Sequence, residues 1–449
     1  MFAGVFATMS VANAMSLREA VRHTVETNPT IAAARANRTA SGYVLRQSQG
    51  RLVPSIDLSG DLMAQRVDKP RSLARAVNDR TNYRRQVGVV VRQVMFDGFE
   101  RANAIYRDAA RLDAAALTVL ENSETVGLTA VEAYIDVRRH LVLVGIANRN
   151  VRRHAEVLAL IRERAEGGKA PESDVNQARE RLLVAKAVSE DVKRALEEAY
   201  AKFHEVVGLK ARGIKRVRIP RSLPMTRRAA VKIAIANNPA IKSANANIDG
   251  VAFDRERAVG AYAPQIFAEG GASYGRRVDG TQGRSVDVKG GLVFSWNLFS
   301  GLQRRNRINE MDARVNAARY QRDAQVRAAR ALAERAWAGL TRGRKRVSII
   351  RQQVTINQGI VKSYLEEYEL GKRSLLDLLD AESALFNSRF QLSSVQAVYT
   401  FAAYQLIAST GRLLETLGVS PPPEVKADHR IQSQKPLGIF NIEIEPLRQ

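Results

Sequence analysis

The sequence predicts an α+β membrane protein in which one unit, built from two strands and very long helices, is used twice. Three observations carry this. A segment near the N-terminus recurs two hundred residues later; several short segments alternate apolar and polar residues; and two stretches, Glu100–Glu166 and Leu302–Leu370, run 67 and 69 residues without a proline.

The first fourteen residues, MFAGVFATMSVANA, are apolar and end in Ala12-Asn13-Ala14, an A-x-A cleavage pattern, so residues 1–14 read as a signal peptide without the usual positive start, either truncated or begun further upstream. Next comes the repeat. MSLREAVRHTVETNPTIAAARAN at Met15–Asn37 returns as MTRRAAVKIAIANNPAIKSANAN at Met225–Asn247. Asn28 falls on Asn238 and Pro54 on Pro264 at an offset of 210, whereas Phe96 falls on Phe299, Gly168 on Gly371, Asp174 on Asp377 and Gly208 on Gly411 at 203. A seven-residue length change therefore lies between Pro54 and Phe96. The predicted organisation is a first repeat over 15–211, a linker over 212–224, a second repeat over 225–418 and a C-terminal tail over 419–449.

Within each repeat the period changes in the same order. Asn28-Pro29 is an N-cap followed by proline at the first helical position, where its missing N–H costs nothing. That helix runs to about Gly50, and Pro54 leads into extended chain. Strands are expected near Ser55–Ala64, Arg85–Phe96, Ile266–Tyr274 and Val286–Leu298. In the last, Val286, Val288, Leu292, Phe294 and Trp296 take one face, proposed to meet lipid, and Asp287, Lys289, Val293 and Ser295 take the other. Segments of about ten residues with apolar-out, polar-in alternation are what transmembrane barrels use.

After Gly98 and Gly301 the rhythm becomes helical. At 1.5 Å per residue each proline-free stretch is about 100 Å long, with a packing stripe such as Val131, Tyr134, Leu141, Val151, Ala155, Leu158 and Ile161. Gly167-Gly168-Lys169-Ala170-Pro171 and Gly371-Lys372 are turns, and shorter helices return to about Gly208 and Gly411. Arg212–Pro224 is basic and proline-punctuated, and the tail from Val419 opens on three prolines and reads as loosely ordered. Four strands cannot close a barrel, and open edges are not tolerated in hydrocarbon. Copies must associate: two would give about eight strands, a barrel that side chains fill, whereas three give about twelve and leave a lumen, which favours a trimer.

Composition narrows the chemistry. With no cysteine there are no disulfides, thiolate metal sites or lipidated N-terminal cysteine. The five histidines, His23, His140, His154, His204 and His429, include no i, i+4 pair, and no Gly-rich phosphate loop or G-x-S-x-G is present. No enzyme, metal or cofactor is expected. The formal charge of +24 raises a rival, a soluble basic helical protein binding nucleic acid or anionic lipid; long helical hairpins raise another, a periplasmic adaptor. Neither needs four alternating segments, so no nucleic-acid partner is expected.

With those residues in view, the chain resembles the TolC family of outer-membrane channels from Ala14 to Val419. The carrying features are the twice-used NP-helix-P-strand unit, the Phe96-Asp97-Gly98 and Phe299-Ser300-Gly301 turns, and the tips AEGGKAPESDVNQA and YELGKRSLLDLLDAE. The resemblance implies a homotrimer with a 12-stranded outer-membrane β-barrel, continued by a long periplasmic α-helical barrel and closed at the helical tips. It implies an exit duct of a tripartite efflux or type I secretion system, partnered by a periplasmic adaptor (membrane fusion) protein and an inner-membrane transporter of ABC or RND type. By motif, Tyr368 and Arg373 match residues that latch the entrance, with Asp174 their carboxylate partner. Asp377 and Asp380 match an acidic constriction ring. Gly167, Gly168, Lys169, Gly371 and Lys372 match adaptor-contacting tips, although Gly167-Gly168-Lys169 replaces the family's frequent V-G-L. The missing lipidation cysteine and the S-D-V-x-Q-A tip resemble the protein-secretion branch, and the strongly basic composition departs from the family.

Overall fold

The computed structural model describes residues 15–66, 81–280 and 283–433; residues 1–14, expected to be a signal peptide, and residues 434–449 lie outside them. The elements are α1 (Leu17–Thr27), α2 (Pro29–Gly50), β1 (Ser55–Arg66), β2 (Thr81–Phe96), α3 (Glu100–Glu166) and α4 (Glu172–Val207). There follow α5 (Arg227–Asn237), α6 (Pro239–Gly260), β3 (Gln265–Arg276), β4 (Arg284–Ser295), α7 (Gln303–Glu369) and α8 (Leu375–Ser409), with short helices α9 (Leu413–Leu417) and α10 (His429–Ser433). The order recurs with near-equal lengths, and α3 and α7 are both 67 residues long. Arg66 and Arg276 end the first strands at an offset of 210, and Thr81 and Arg284 start the second at 203, so the seven-residue difference falls on the stretches joining each strand pair.

Local chemistry accounts for the boundaries. Ser16 and Glu19 form a reciprocal capping box on α1. The Asn28 side chain accepts from the Thr30 N–H at 2.9 Å and Asn238 from the Ala240 N–H at 2.8 Å, each immediately before its helix-opening proline. Gly98 and Phe99, like Gly301 and Leu302, are left-handed, and a Cβ on Gly98 would collide with the Gly260 carbonyl.

Two compact units result. One comprises Met1–Ala36, Ala116–Lys242 and Asp323–Val425 and is helical throughout its regular elements. Its largest core packs Tyr134 and Phe203, rings 6.3 Å apart, with Ile407, Leu413, Leu414 and Val21. The Tyr134 hydroxyl lies 2.8 Å from the Met15 carbonyl and 2.9 Å from the Lys215 N–H, while the Tyr404 hydroxyl donates to the Arg218 carbonyl. The basic connection is thus tied down by two tyrosines.

Glu124 is buried in this unit and accepts the N–H groups of Leu413 and Leu414 at 2.9 and 3.3 Å, opening α9. Burial pushes its carboxyl up to about 7 from an ordinary 4.5, against those two hydrogen bonds and with help from the charge of Glu415. The raised value fixes the sign: the stability contribution is complete below pH 4.5 and is lost as pH rises towards 7, an effect of about 3 kcal/mol. Thermal melts across that range should show the wild-type midpoint falling with pH and Glu124→Gln flattening the slope; parallel curves would exclude Glu124 as the source.

The other unit comprises Asn37–Ala115, Ser243–Arg322 and Lys426–Gln449. It holds an antiparallel sheet in the order β1-β2-β3-β4. Each strand extends past its expected span at one end or more, whereas β4 stops at Ser295, so Trp296 and Leu298 follow the strand instead of closing it. The described part of the tail is also better held than its prolines suggested. Buried Asp113 accepts the N–H groups of His429 and Arg430 at 3.0 and 3.1 Å and the Arg430 Nε–H at 3.0 Å. Arg430 also pairs with Asp249.

Candidate functional site

Two places deserve a functional reading: the sheet, and the helical turns at Gly168 and Gly371. In the sheet, register decides the faces, because residues paired across antiparallel strands point the same way. Leu58 pairs with Val89, Val89 with Ala272 and Ala272 with Val288, and Ala268 pairs with Leu292. The face so defined carries twelve exposed large apolar or aromatic side chains: Ile56, Leu58, Leu62, Tyr83, Val87, Val89, Val91, Tyr274, Val286, Val288, Leu292 and Phe294. In the paired rows the opposite face exposes only Met63 and Val293. It carries Asp57, Ser59, Asp61, Arg84, Gln86, Arg92, Glu269 and Lys289 instead, with Arg84 3.2 Å from Asp61 and Arg92 2.7 Å from Glu269.

Four of the residues assigned to lipid from sequence, Val286, Val288, Leu292 and Phe294, lie on this apolar face; Leu292 is 74% and Val288 76% exposed. Trp296 lies beyond the strand, its indole N–H donating to the Tyr262 carbonyl at 3.0 Å. Phe299, four residues past the end of β4, is also exposed. No described helix is long and apolar enough to cross a membrane.

At the turns, the two hairpins use one device. Gly168 and Gly371 are left-handed, and Lys169 and Lys372 each donate from the backbone to a carbonyl five residues earlier, at 2.7 and 2.8 Å. This is the six-to-one bond of a Schellman cap. No atom lies within 4 Å of a Cβ placed on either glycine, so conformation and not space demands it. Gly167 precedes the first cap and donates to Glu163.

Behind these turns Tyr368 is only 8% exposed, in a cluster with Val157, Leu158, Ile161, Val175, Leu375, Leu378 and Leu379. The Arg164 guanidinium sits 4.9 Å from its ring centre and donates to the Tyr368 and Glu369 carbonyls at 3.1 and 3.3 Å. Burial raises the Tyr368 phenol pKa; Arg164 opposes the shift and the Asp174 charge adds to it. Arg373 pairs with Glu367 at 2.8 Å and stacks 4.1 Å over Tyr364. Asp174 lines the same groove as Tyr368 and Arg373, about 440 Å³ in volume, yet within one chain Arg373 hydrogen-bonds to Glu367, with Asp377 4.0 Å away. Arg164 and Glu367 belong to no motif that marks them in the sequence.

Half-buried Asp377 and exposed Asp380 lie three positions apart near the start of α8. Ser374 caps that helix: its hydroxyl oxygen accepts the Asp377 N–H at 3.2 Å, and its O–H donates to the Asp377 carboxylate at 2.8 Å. Asp380 is 63% exposed at the side chain and 3.5 Å from Arg181. Neighbouring Glu382 is buried against Arg153, beside His154, whose pKa burial lowers.

Comparison with known proteins meets this geometry. The family model described as outer membrane efflux protein matches residues 20–209 and 230–412. Outer membrane efflux protein BepC of Brucella suis biovar 1 (strain 1330) is 24% identical over 347 residues, 76% of each chain. Among solved structures, the Campylobacter jejuni CmeC outer membrane channel superposes with a TM-score of 0.76 at 14% identity, covering 93% of this chain and 89% of its own. The outer membrane protein VceC of Vibrio cholerae gives 0.74 at 15% identity, with 90% and 97% covered. The chain belongs to the outer membrane efflux protein family, the TolC-like channels that its repeated strand-and-helix pattern resembles.

Proposed function

We propose that the protein is the outer-membrane exit duct of a tripartite efflux or type I secretion system, acting as a homotrimer. The observation that carries this is the continuous apolar face over all four strands, together with the two sheet edges, β1 and β4, that pair with no further strand among the described residues. From Val286 to Phe294 the band spans about 27 Å along the strand. At a tilt of ~40° that is about 21 Å of height, near the ~25 Å apolar band of outer-membrane barrels. Exposing such a face to water is unfavourable, and open edges in lipid are costlier still; a bilayer covers the face, and a twelve-stranded closure by three copies removes the edges. The recurring element order fits a duplicated unit giving two strands per repeat.

In this reading the helical part is periplasmic. The two Schellman-capped turns, Gly167–Lys169 and Gly371–Lys372, meet a periplasmic adaptor, which couples the duct to an inner-membrane ABC or RND transporter. The channel family displaces the soluble binder and adaptor readings and gives no reason to expect catalysis. Reconstituted protein should form discrete channels in planar bilayers and fractionate with the outer membrane of intact cells. Protein that stays in the soluble fraction and forms no channels would exclude the role.

Asp377 and Asp380 sit three positions apart on one side of α8, so a trimer presents six carboxylates around one axis. Trivalent cations added from the periplasmic side should block the channel, and Asp377→Asn/Asp380→Asn should abolish that block; Asn at 377 still offers an acceptor to Ser374. Unchanged block in the double variant would place the ring elsewhere.

A further inference from the structure

We propose that Arg85, Arg276 and Arg284 form a binding row for the phosphorylated headgroup of a membrane glycolipid, on the outside of the barrel at its hairpin end. The assignment rests on the barrel reading above. Arg85 pairs with Arg276 and Arg276 with Arg284, so three guanidinium side chains stand in one cross-strand row of β2, β3 and β4. The row continues the apolar face: the next row towards the helices is Val87, Tyr274 and Val286. All three arginines are exposed.

Their pairing separates them from the other arginines of the sheet. On the polar face, Arg84 lies 3.2 Å from Asp61 and 3.5 Å from Asp279, and Arg92 lies 2.7 Å from Glu269. Among the described residues, no carboxylate pairs with Arg85, Arg276 or Arg284. Like charges directly opposite one another in a ladder are destabilising, with side chains only about 5 Å apart at Cβ. Such a row is stable when an anion of matching spacing neutralises it, and guanidinium groups bind phosphate oxygens in bidentate fashion.

The neighbourhood selects the anion's carrier. An anion approaching this row meets Tyr274, Val286 and Leu62 immediately beside it. A free phosphate has no use for that surface, whereas acyl chains cover it while the headgroup sits on the arginines. The hairpin end is opposite to the strand ends that enter the helices, so with periplasmic helices it faces the outer leaflet. Three copies give nine arginines around the rim.

The test uses full-length trimer in neutral phosphatidylcholine nanodiscs, with bound lipid read by native mass spectrometry. The probes are a bisphosphorylated glycolipid, its dephosphorylated form, and inorganic phosphate. Wild type should retain only the first. Arg85→Gln/Arg276→Gln/Arg284→Gln should weaken retention by about a hundredfold and Arg276→Gln alone by about fivefold, the order expected of surface cations on anionic lipid. The single variant keeps the test decisive should the triple one assemble poorly. Unchanged retention, or equal retention of the dephosphorylated lipid, overturns the proposal, and full competition by inorganic phosphate overturns the lipid assignment. Fractionation of wild-type cells reports on the barrel reading separately. Protein absent from the outer membrane defeats both, whereas protein present there without headgroup discrimination defeats this inference alone.

Discussion

Leu292→Arg is expected to destabilise the assembled protein by about 2–4 kcal/mol, whereas Val293→Arg, one residue on, is expected to be mild. Leu292 pairs with Ala268 on the apolar face, two residues from Gly290 near the middle of the band, and its side chain is already three-quarters exposed. No protein packing is lost there, so the penalty arises from placing a guanidinium in hydrocarbon. Val293 pairs with Phe267 on the face that carries Arg92 and Glu269, where an added cation stays hydrated. Heat or urea dissociation of the oligomer, followed on unheated gels, compares the two. Equal losses would mean that both faces see the same medium, which contradicts the assignment of one to lipid.

The second large effect is expected at the tips. Tyr368→Phe with Arg373→Ser should raise single-channel conductance severalfold, because these residues are proposed to hold neighbouring hairpins together at the entrance. The geometry gives each a distinct part. Tyr368 is anchored by burial and by Arg164 on its ring, so its position is fixed, and it lines the groove shared with Asp174. Arg373 is held by Glu367 and Tyr364, which orients the guanidinium at the turn; a planar fork gripping a carboxylate is something lysine cannot reproduce. Glu367→Gln should therefore loosen Arg373 and raise conductance less than the double variant. Wild-type conductance in Tyr368→Phe/Arg373→Ser would exclude these residues as the latch.

Much of this arrangement was legible in the chain, for identifiable reasons. The strands announced themselves by period-two alternation, and the long helices by the absence of proline over 67 residues. Strand β2 begins four residues earlier than the alternation suggested, because Arg85 interrupts the apolar series on the outer face while Tyr83 continues it. At the other end, Trp296 and Leu298 kept the apolar rhythm after the hydrogen-bonded ladder had stopped at Ser295. Alternation records which residues avoid water, not where pairing ends. Register could not be read from one chain, and it alone aligns Arg85, Arg276 and Arg284 or unites the apolar residues of four strands on one face. Contacts between distant residues were equally hidden: Arg164 meets Tyr368 across 204 positions, Arg153 meets Glu382 across 229, and Asp113 holds His429 across 316. The last explains why a proline-rich tail was read as loose although its described part is anchored.

The central claim is that three copies close one barrel through the β1 and β4 edges. Because the chain contains no cysteine, introduced thiols are the only reactive ones. A cysteine at Ser59 on β1 and another at Gly291 on β4 lie on the polar face of opposite edges. Treating outer membranes of cells carrying this double variant with a short bis-maleimide should give a ladder of one, two and three chains that ends at three. A ladder ending at two, a ladder extending past three, or no cross-link in protein shown to be in the membrane would contradict the claim.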